Sequence, residues 1–368
     1  MLSRLLLIFL AFTFVFGLAV PVAAHQTAQS NVLIHVKPET RQVDFLLSVA
    51  SRDVAHYLGL IEEVDVPDQE LMEGATADII AFLDAQLVAR NDGVICPTTE
   101  ARIVRTGPLT ERTNFLKAVE CEEPLGEVNL ESRAMLDAVG GYRHFGRVQV
   151  GEDVYPTVFD TQFPDYILHL GVDDEGGVTV ETSALDTFLR YLWQGILHIV
   201  IGFDHVLFVL CLLLAARRFR QLLFIITAFT LGHSVTLVVS ALDVFTLPES
   251  LIEPIIALSI AYVAAENLLR KGEVPYLYAT ALVFGLVHGF GFSYVLRDEL
   301  GLPTEALVPA LVSFNLGVEV GQLAIVALAY PALLWARTKG WYPTMLRWGS
   351  ATILVIALYW LVSRVVWG

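Results

Sequence analysis

The chain has 368 residues, with 23 Lys/Arg against 39 Asp/Glu, a formal net charge of −16, and 17% charged residues. Soluble globular proteins carry about 25% charged residues, so the composition excludes an ordinary soluble protein throughout, and the acidic balance argues against a nucleic-acid partner. The charge is unevenly placed: residues 25–185 hold 11 Lys/Arg and 28 Asp/Glu, a net of −17, whereas residues 186–368 hold 11 of each, a net of 0.

Arg4 precedes an apolar run over 5–20, and Val22-Ala23-Ala24 then offers small residues for cleavage. This is the pattern of a secretory signal peptide, assigned to residues 1–24. Cleavage there makes His25 the first mature residue, and its α-amino group and imidazole together form a chelate for an extracytoplasmic metal ion. His35, His56, His144 and His169 are its candidate partners.

Residues 25–185 read as one acidic extracytoplasmic α+β domain. Strand-like runs at 32–36 and 42–49 flank the turn-prone Lys37-Pro38-Glu39-Thr40 and predict a hairpin. Residues 69–89 have helical spacing of apolar side chains, and further short β-prone runs fall at 94–96, 101–104, 146–150 and 178–181. Cys96 and Cys121 lie in the exported part, where oxidation is permitted, and are expected to form a disulfide. Cys211, in an apolar run, reads as a packing residue. The domain carries no nucleophile motif, phosphate loop or internal repeat, which leaves binding of an extracytoplasmic protein partner as one role for it.

Residues 186–368 change to long apolar runs and predict six transmembrane helices, at 188–214, 221–241, 250–269, 276–296, 306–334 and 344–366. The fold class is therefore a membrane α-helical bundle of six spans preceded by an exported α+β domain, with the lipid bilayer as a partner. Basic residues fall in alternate loops: Arg217, Arg218 and Arg220; then Arg270 and Lys271; then Arg337, Lys339 and Arg347. Positive loops stay inside, so the N-terminal domain and the C-terminus are both expected outside the inner (cell) membrane.

Charged and imidazole side chains are costly in hydrocarbon and mark functional pathways there. Five of the six runs contain them. The first holds His198, Asp204 and His205, the second His233 with Ser234, the third Glu266 and Asn267, the fourth His288, and the fifth Asn315 and Glu319. Counted along straight helices, most lie in the central third of the membrane, with Asp204, His205 and Glu266 somewhat nearer the inside. His198 and His205, seven apart, would share a helix face. Imidazole and carboxylate donors suit a borderline divalent ion such as nickel, cobalt or zinc, and the lack of buried thiolate clusters argues against a sulfur site. The metal set is thus His198, Asp204, His205, His233 and His288, with Glu266, Asn267, Asn315, Glu319 and Ser234 lining the path or supporting the ligands. Asp204 is a candidate to orient a neighbouring imidazole.

Four runs are specific enough to name a family. G-x-x-H-I-x-x-G-x-D-H-x-L-F over 195–208, F-T-L-G-H-S over 229–234, F-G-L-x-H-G-F-G-F-S over 284–293 and F-N-x-G-V-E-x-G-Q over 314–322 resemble the HupE/UreJ family. That resemblance implies a bacterial membrane protein linked to nickel supply for hydrogenase and urease. The chain is also similar, more distantly, to nickel/cobalt permeases, whose His, four residues and Asp-His become here His198, five residues and Asp204-His205. The resemblance implies metal handling by His198, Asp204, His205 and His233.

Three functions fit these readings. The first is a Ni²⁺- or Co²⁺-type permease with a mid-membrane His/Asp/Glu site, which is a transporter rather than an enzyme. The second is a metal-dependent intramembrane hydrolase, since three histidines with an open water position are also a hydrolytic zinc site. The third is a metal-sensing or accessory membrane protein.

Overall fold

The computed structural model describes residues 29–62, 66–104, 111–138, 142–173, 177–216, 218–269, 276–291 and 304–366. The expected signal peptide and His25 lie outside the described residues.

The N-terminal half is built from eleven described strands in two sheets. The first sheet has the order β5 (Thr98–Val104), β6 (Arg112–Glu120), β2 (Gln42–Ala50), β1 (Gln29–Lys37), β8 (Arg143–Val150), β9 (Asp153–Phe159). All its pairings are antiparallel except β1 with β8. The second sheet has the order β11 (Val178–Glu181), β10 (Asp165–Val172), β7 (Glu127–Ser132), β3 (Leu87–Asn91), β4 (Val94–Ile95). The expected hairpin forms: a short 3-10 turn over Pro38–Thr40 joins β1 to β2, and Arg41 closes it in a left-handed conformation, φ 58°. Val32, Ile34 and Val36 alternate inward with Val43, Phe45, Leu47 and Val49 and join Leu87, Val128 and Leu168 of the other sheet in one core.

Three short helices complete this half: α1 (Ser51–Tyr57), α2 (Gln69–Gly74) and α3 (Thr76–Gln86). The helix expected over 69–89 breaks at Ala75 and ends at Gln86, because Leu87 and Ala89 turn into the core as residues of β3. His144 is fully buried between Ser30 and the Ala134 carbonyl, and burial pushes its pKa down to about 4, so it is a neutral core residue.

Cys96 and Cys121 are disulfide-bonded. The bridge closes a loop of 25 residues. Replacing both cysteines by serine should lower the stability of this half by about 3 kcal/mol, read as a lower melting temperature of the full-length protein in detergent. Alkylation of both thiols in unreduced protein would overturn the pairing in solution.

The C-terminal half is helical: α4 (Ala184–Ile201), α5 (Phe203–Ala215), α6 (Phe219–Ala241), α7 (Glu249–Leu269), α8 (Leu277–Phe290), α9 (Thr304–Arg337) and α10 (Tyr342–Val366). Four of these, α6, α7, α9 and α10, are long and apolar enough to cross a membrane, and α4 with α5 makes a fifth if the bent pair is one span. The described part of α8 has 14 residues; the rest of the run expected over 276–296 lies largely outside the described residues. Exposed Phe224, Leu231, Val312, Leu328, Val355 and Val362 give the bundle an apolar outer surface, as helices facing lipid require.

The first span is not one straight helix. It bends by 72° between Ile201 and Phe203. Gly202, at φ −69° and ψ 94°, ends α4 and opens α5. A Cβ at this position would lie 2.5 Å from the His198 carbonyl oxygen and 2.8 Å from His205 Nδ1. Only glycine therefore lets the His205 imidazole fold back against the end of α4.

Two helix pairs make very close backbone contacts. In α4 with α9, Gly195 faces the Phe314 carbonyl and Gly317 faces the Leu192 carbonyl. In α6 with α8, Gly232 faces the Leu282 carbonyl and Gly285 faces the Phe229 carbonyl. Small residues allow such approach in apolar surroundings, where packing rather than water drives association.

The two halves are locked together along α4. Arg190 donates to the backbone carbonyls of Val158, Phe163 and Asp165, pairs with Asp186, and stacks over Phe163 at 4.8 Å. One turn on, Gln194 accepts from Arg143 at 2.9 Å and donates to Asp160 at 2.6 Å. Phe145 and Val158 of the sheet are buried with Tyr191, Ile199, Leu311 and Phe314 of the helices. At about 1.5 Å per residue, α9, with 34 residues, is about 51 Å long. It outruns a 30 Å hydrocarbon core, and the Ala310–Phe314 region near its start lies against the sheet.

Candidate metal centre

The side chains brought together are imidazoles. His198 from the last turn of α4, His205 from the first turn of α5 and His233 from α6 each present a ring nitrogen, and these three atoms lie within 4.8 Å of one another. Ring centroids are 4.5 Å apart for His198–His205, 5.9 Å for His198–His233 and 6.4 Å for His205–His233. His288 of α8 adjoins them, its ring centroid 5.2 Å from that of His205. Phe208 and Phe229 pack on His288, at 5.0 and 5.2 Å.

Several ring nitrogens are buried with no hydrogen-bond partner among the described residues: both of His205, Nε2 of His233 and Nδ1 of His288. A buried imidazole left unbonded costs free energy, and a metal ion would satisfy these atoms. Ligand nitrogens on one zinc-like ion, at about 2.0–2.1 Å from it, must close in somewhat from the present spacing. The donor set therefore fits a borderline divalent ion.

The other expected residues are placed as follows. Asn315 accepts at Oδ1 from His233 Nδ1 at 3.3 Å and donates to the Leu311 carbonyl, which orients the His233 ring. Asp204 does not reach the imidazoles; its Oδ2 pairs with Arg364 of α10 at 2.8 Å. Glu319 accepts from Thr227 at 2.8 Å, on the face of α9 that meets α6. Ser234 donates to the Thr230 carbonyl of its own helix. Glu266 is buried, and Asn267 donates to the Cys211 carbonyl at 3.0 Å. Cys211 lies six residues past His205, about 9 Å along the helix, so Glu266 and Asn267 sit well beyond the histidine group. One residue not foreseen meets the site, and a second buried polar pair lies between α6 and α9. Ser259 of α7 bonds His288 Nε2 at 2.9 Å, and Thr230 donates to the buried Gln322 at 3.1 Å. Ser259 lies seven residues before Glu266, on the same helical face, and that spacing could have found it.

The bend changes where two of these residues fall along the bundle. Asp204 opens α5 at the level of Glu253, in the first turn of α7, and Arg364, in the last turn of α10. The bend thus turns Asp204 and His205 toward the end of the bundle that carries the β-sheet half, and His198 follows Gln194 of the interface by one turn. Counting residues along straight spans failed because of the bend at Gly202. That bend also brings His198 and His205 together, rather than a shared face of one helix.

A family model for HupE / UreJ protein matches residues 174–364. The chain belongs to the HupE/UreJ family. All four histidines, both glycine-paired helix contacts and the bend at Gly202 lie inside the matched segment. The HupE/UreJ family is linked to metal handling, in transport or accessory roles, which agrees with a histidine-rich centre inside an apolar bundle. No curated protein matches the chain.

Proposed function

We propose that this protein is a permease that carries a divalent transition-metal ion of the Ni²⁺ or Co²⁺ type across the bacterial inner membrane. The observation that carries this reading is the convergence of His198, His205 and His233 from three helices within 4.8 Å. In this reading His198, His205 and His233 take the cargo ion, His288 adjoins them as a fourth donor, and Asn315 fixes the His233 ring. Asp204, Glu266, Asn267 and Glu319 are encountered along the path, with Ser234 supporting the helix beside it. The sheet-rich half, residues 25–185 after removal of a signal peptide at 1–24, is extracytoplasmic and sits above the entrance. Residues 186–368 form six crossings, with α4 and α5 as one broken crossing. Half-helices that end at mid-path are a recurrent device for placing ion sites in transporters.

The test is uptake of nickel by vesicles reconstituted with the purified protein, against protein-free vesicles. A metal-sensing role is favoured by one observation, the lock between α4 and the sheet half. It becomes the better account if the protein binds nickel and the vesicles take up none. Orientation has its own check. A periplasm-active reporter fused after Gly368 should be active, and activity of a cytoplasm-dependent reporter there would overturn the six-crossing arrangement.

A further inference from the structure

Arg364 is a buried cation beside the metal centre. It lies in the last turn of α10, with its side chain 10% exposed. Its Nη2 donates to Asp204 Oδ2 at 2.8 Å and its Nη1 donates to the Glu253 carbonyl at 3.2 Å. Its Nε stands 3.5 Å from the Glu253 carboxylate, and its guanidinium carbon is 5.6 Å from the centre of the Trp360 ring. One guanidinium is thus divided between α5 and α7.

Asp204 is only half engaged. Its Oδ1 is buried with no hydrogen-bond partner among the described residues. The next residue, His205, has both ring nitrogens in the same condition. Guanidinium and carboxylate can pair through two parallel bonds, yet here one bond forms, Nη1 goes to the Glu253 carbonyl, and Nε is buried with no hydrogen-bond partner among the described residues. A carboxylate at the edge of an apolar bundle, as Asp204 is with its side chain 22% exposed, is stabilised by a cation close by. Asp204 lies outside the histidine group, and two cations can serve it: the guanidinium, or a metal ion passing to or from the neighbouring His205.

We propose that Arg364 is a tethered cation that competes with the transported ion for Asp204. The inference rests on the permease reading, in which His205 takes the cargo. When the ion engages Asp204, the guanidinium withdraws toward Glu253, whose carbonyl already accepts from Nη1 and whose carboxylate stands 3.5 Å from Nε. When the guanidinium returns to Asp204, the ion loses a carboxylate and is released more readily. The pair therefore sets the affinity of the site: it keeps binding weak enough for release, as a carrier requires, and favours divalent ions, which outcompete one positive charge where monovalent ions do not.

Nickel titration calorimetry on the full-length protein in detergent tests this. If Arg364 holds Asp204 about nine-tenths of the time, removing it tightens apparent binding roughly tenfold, so Arg364→Gln should bind nickel more tightly than wild type by that factor. Asp204→Asn should bind more weakly, and the double variant should match Asp204→Asn, because the competitor has lost its target. A guanidinium that only clamps helices predicts the opposite sign: Arg364→Gln would bind nickel equally or less tightly, and that result overturns the proposal. Should Arg364→Gln fail to fold, Arg364→Lys serves instead. It keeps a charge but not the divided geometry, and it should bind more tightly than wild type by a smaller factor; affinity at or below wild type again overturns the proposal. Wild-type protein that binds no nickel removes the permease reading and this inference with it. Wild-type binding with no gain in Arg364→Gln removes the inference alone.

Discussion

His205→Ala should abolish nickel uptake by reconstituted vesicles at matched protein insertion. His205 touches two of the other imidazoles and has both its nitrogens buried without a hydrogen-bond partner among the described residues. It also sits on the bend that brings α4 and α5 together at Gly202. Losing a supporting group outside the ligand set of a metal site costs about 10–100-fold, so losing a central ligand should reduce uptake by more than about 100-fold. His198→Ala and His233→Ala should behave alike. His288→Ala should be milder, since Ser259 already holds one of its nitrogens. Arg218→Ala, in the loop before α6 and away from the histidines, should transport normally. Uptake at the wild-type level in all three of His198→Ala, His205→Ala and His233→Ala would remove the permease reading. The histidines would then be inter-helix contacts of a scaffold.

Gly285→Val should prevent assembly of the helical half. A Cβ at this position would lie 2.2 Å from the Phe229 carbonyl oxygen, and one at Gly195 would lie 2.0 Å from that of Phe314. Neither neighbour is a flexible side-chain end; each is the backbone of a helix packed on other helices. Overpacking a dense interior usually costs about 1–3 kcal/mol and sometimes more, and separating two backbones belongs at or above the top of that range. Gly195→Val should act alike on α4 and α9. Gly340→Ala, where nothing lies within 4 Å of the added atom, is the matched control. Size-exclusion profiles and thermal melts in detergent read the outcome. A monodisperse Gly285→Val protein melting within a few degrees of wild type would show that the two helices can separate cheaply.

Much of this was legible in the sequence, and the gaps have physical causes. The long apolar runs and the disulfide pair were readable because bilayer thickness and compartment chemistry leave few alternatives. The bend at Gly202 was not, since apolar residues continue on both sides of it and glycine is common within membrane helices. His198 and His205 were rightly placed together, but for a reason that the bend replaces. The end of α3 was missed because Ile79, Leu83 and Leu87 keep helical spacing after the chain has become a strand. Strand β6 escaped notice because polar side chains alternate with Phe115 and Val119 at its inward positions. Thr113 meets Ser51, and Lys117 is buried with Asp84 at 2.9 Å, which hides the alternation that marks a strand. Arg364 was overlooked because a lone arginine near the end of an apolar run reads as an anchor at the membrane surface. Only the approach of α5 to α10 turns it toward Asp204.

The lock along α4 makes the halves of this protein poor modules. A chain cut at the sequence boundary between residues 185 and 186 would leave Phe145, Val158 and Asp160 on one piece. The other piece would carry Arg190 stripped of three carbonyl partners and His198 one turn from a raw edge. Each fragment would present a sticky face, and the severed helix bundle would lose the brace that holds one of its imidazoles. Grafting the sheet-rich half onto another bundle, or expressing either piece alone, therefore calls for a cut that keeps α4 with both partners, and no single point in the chain provides one.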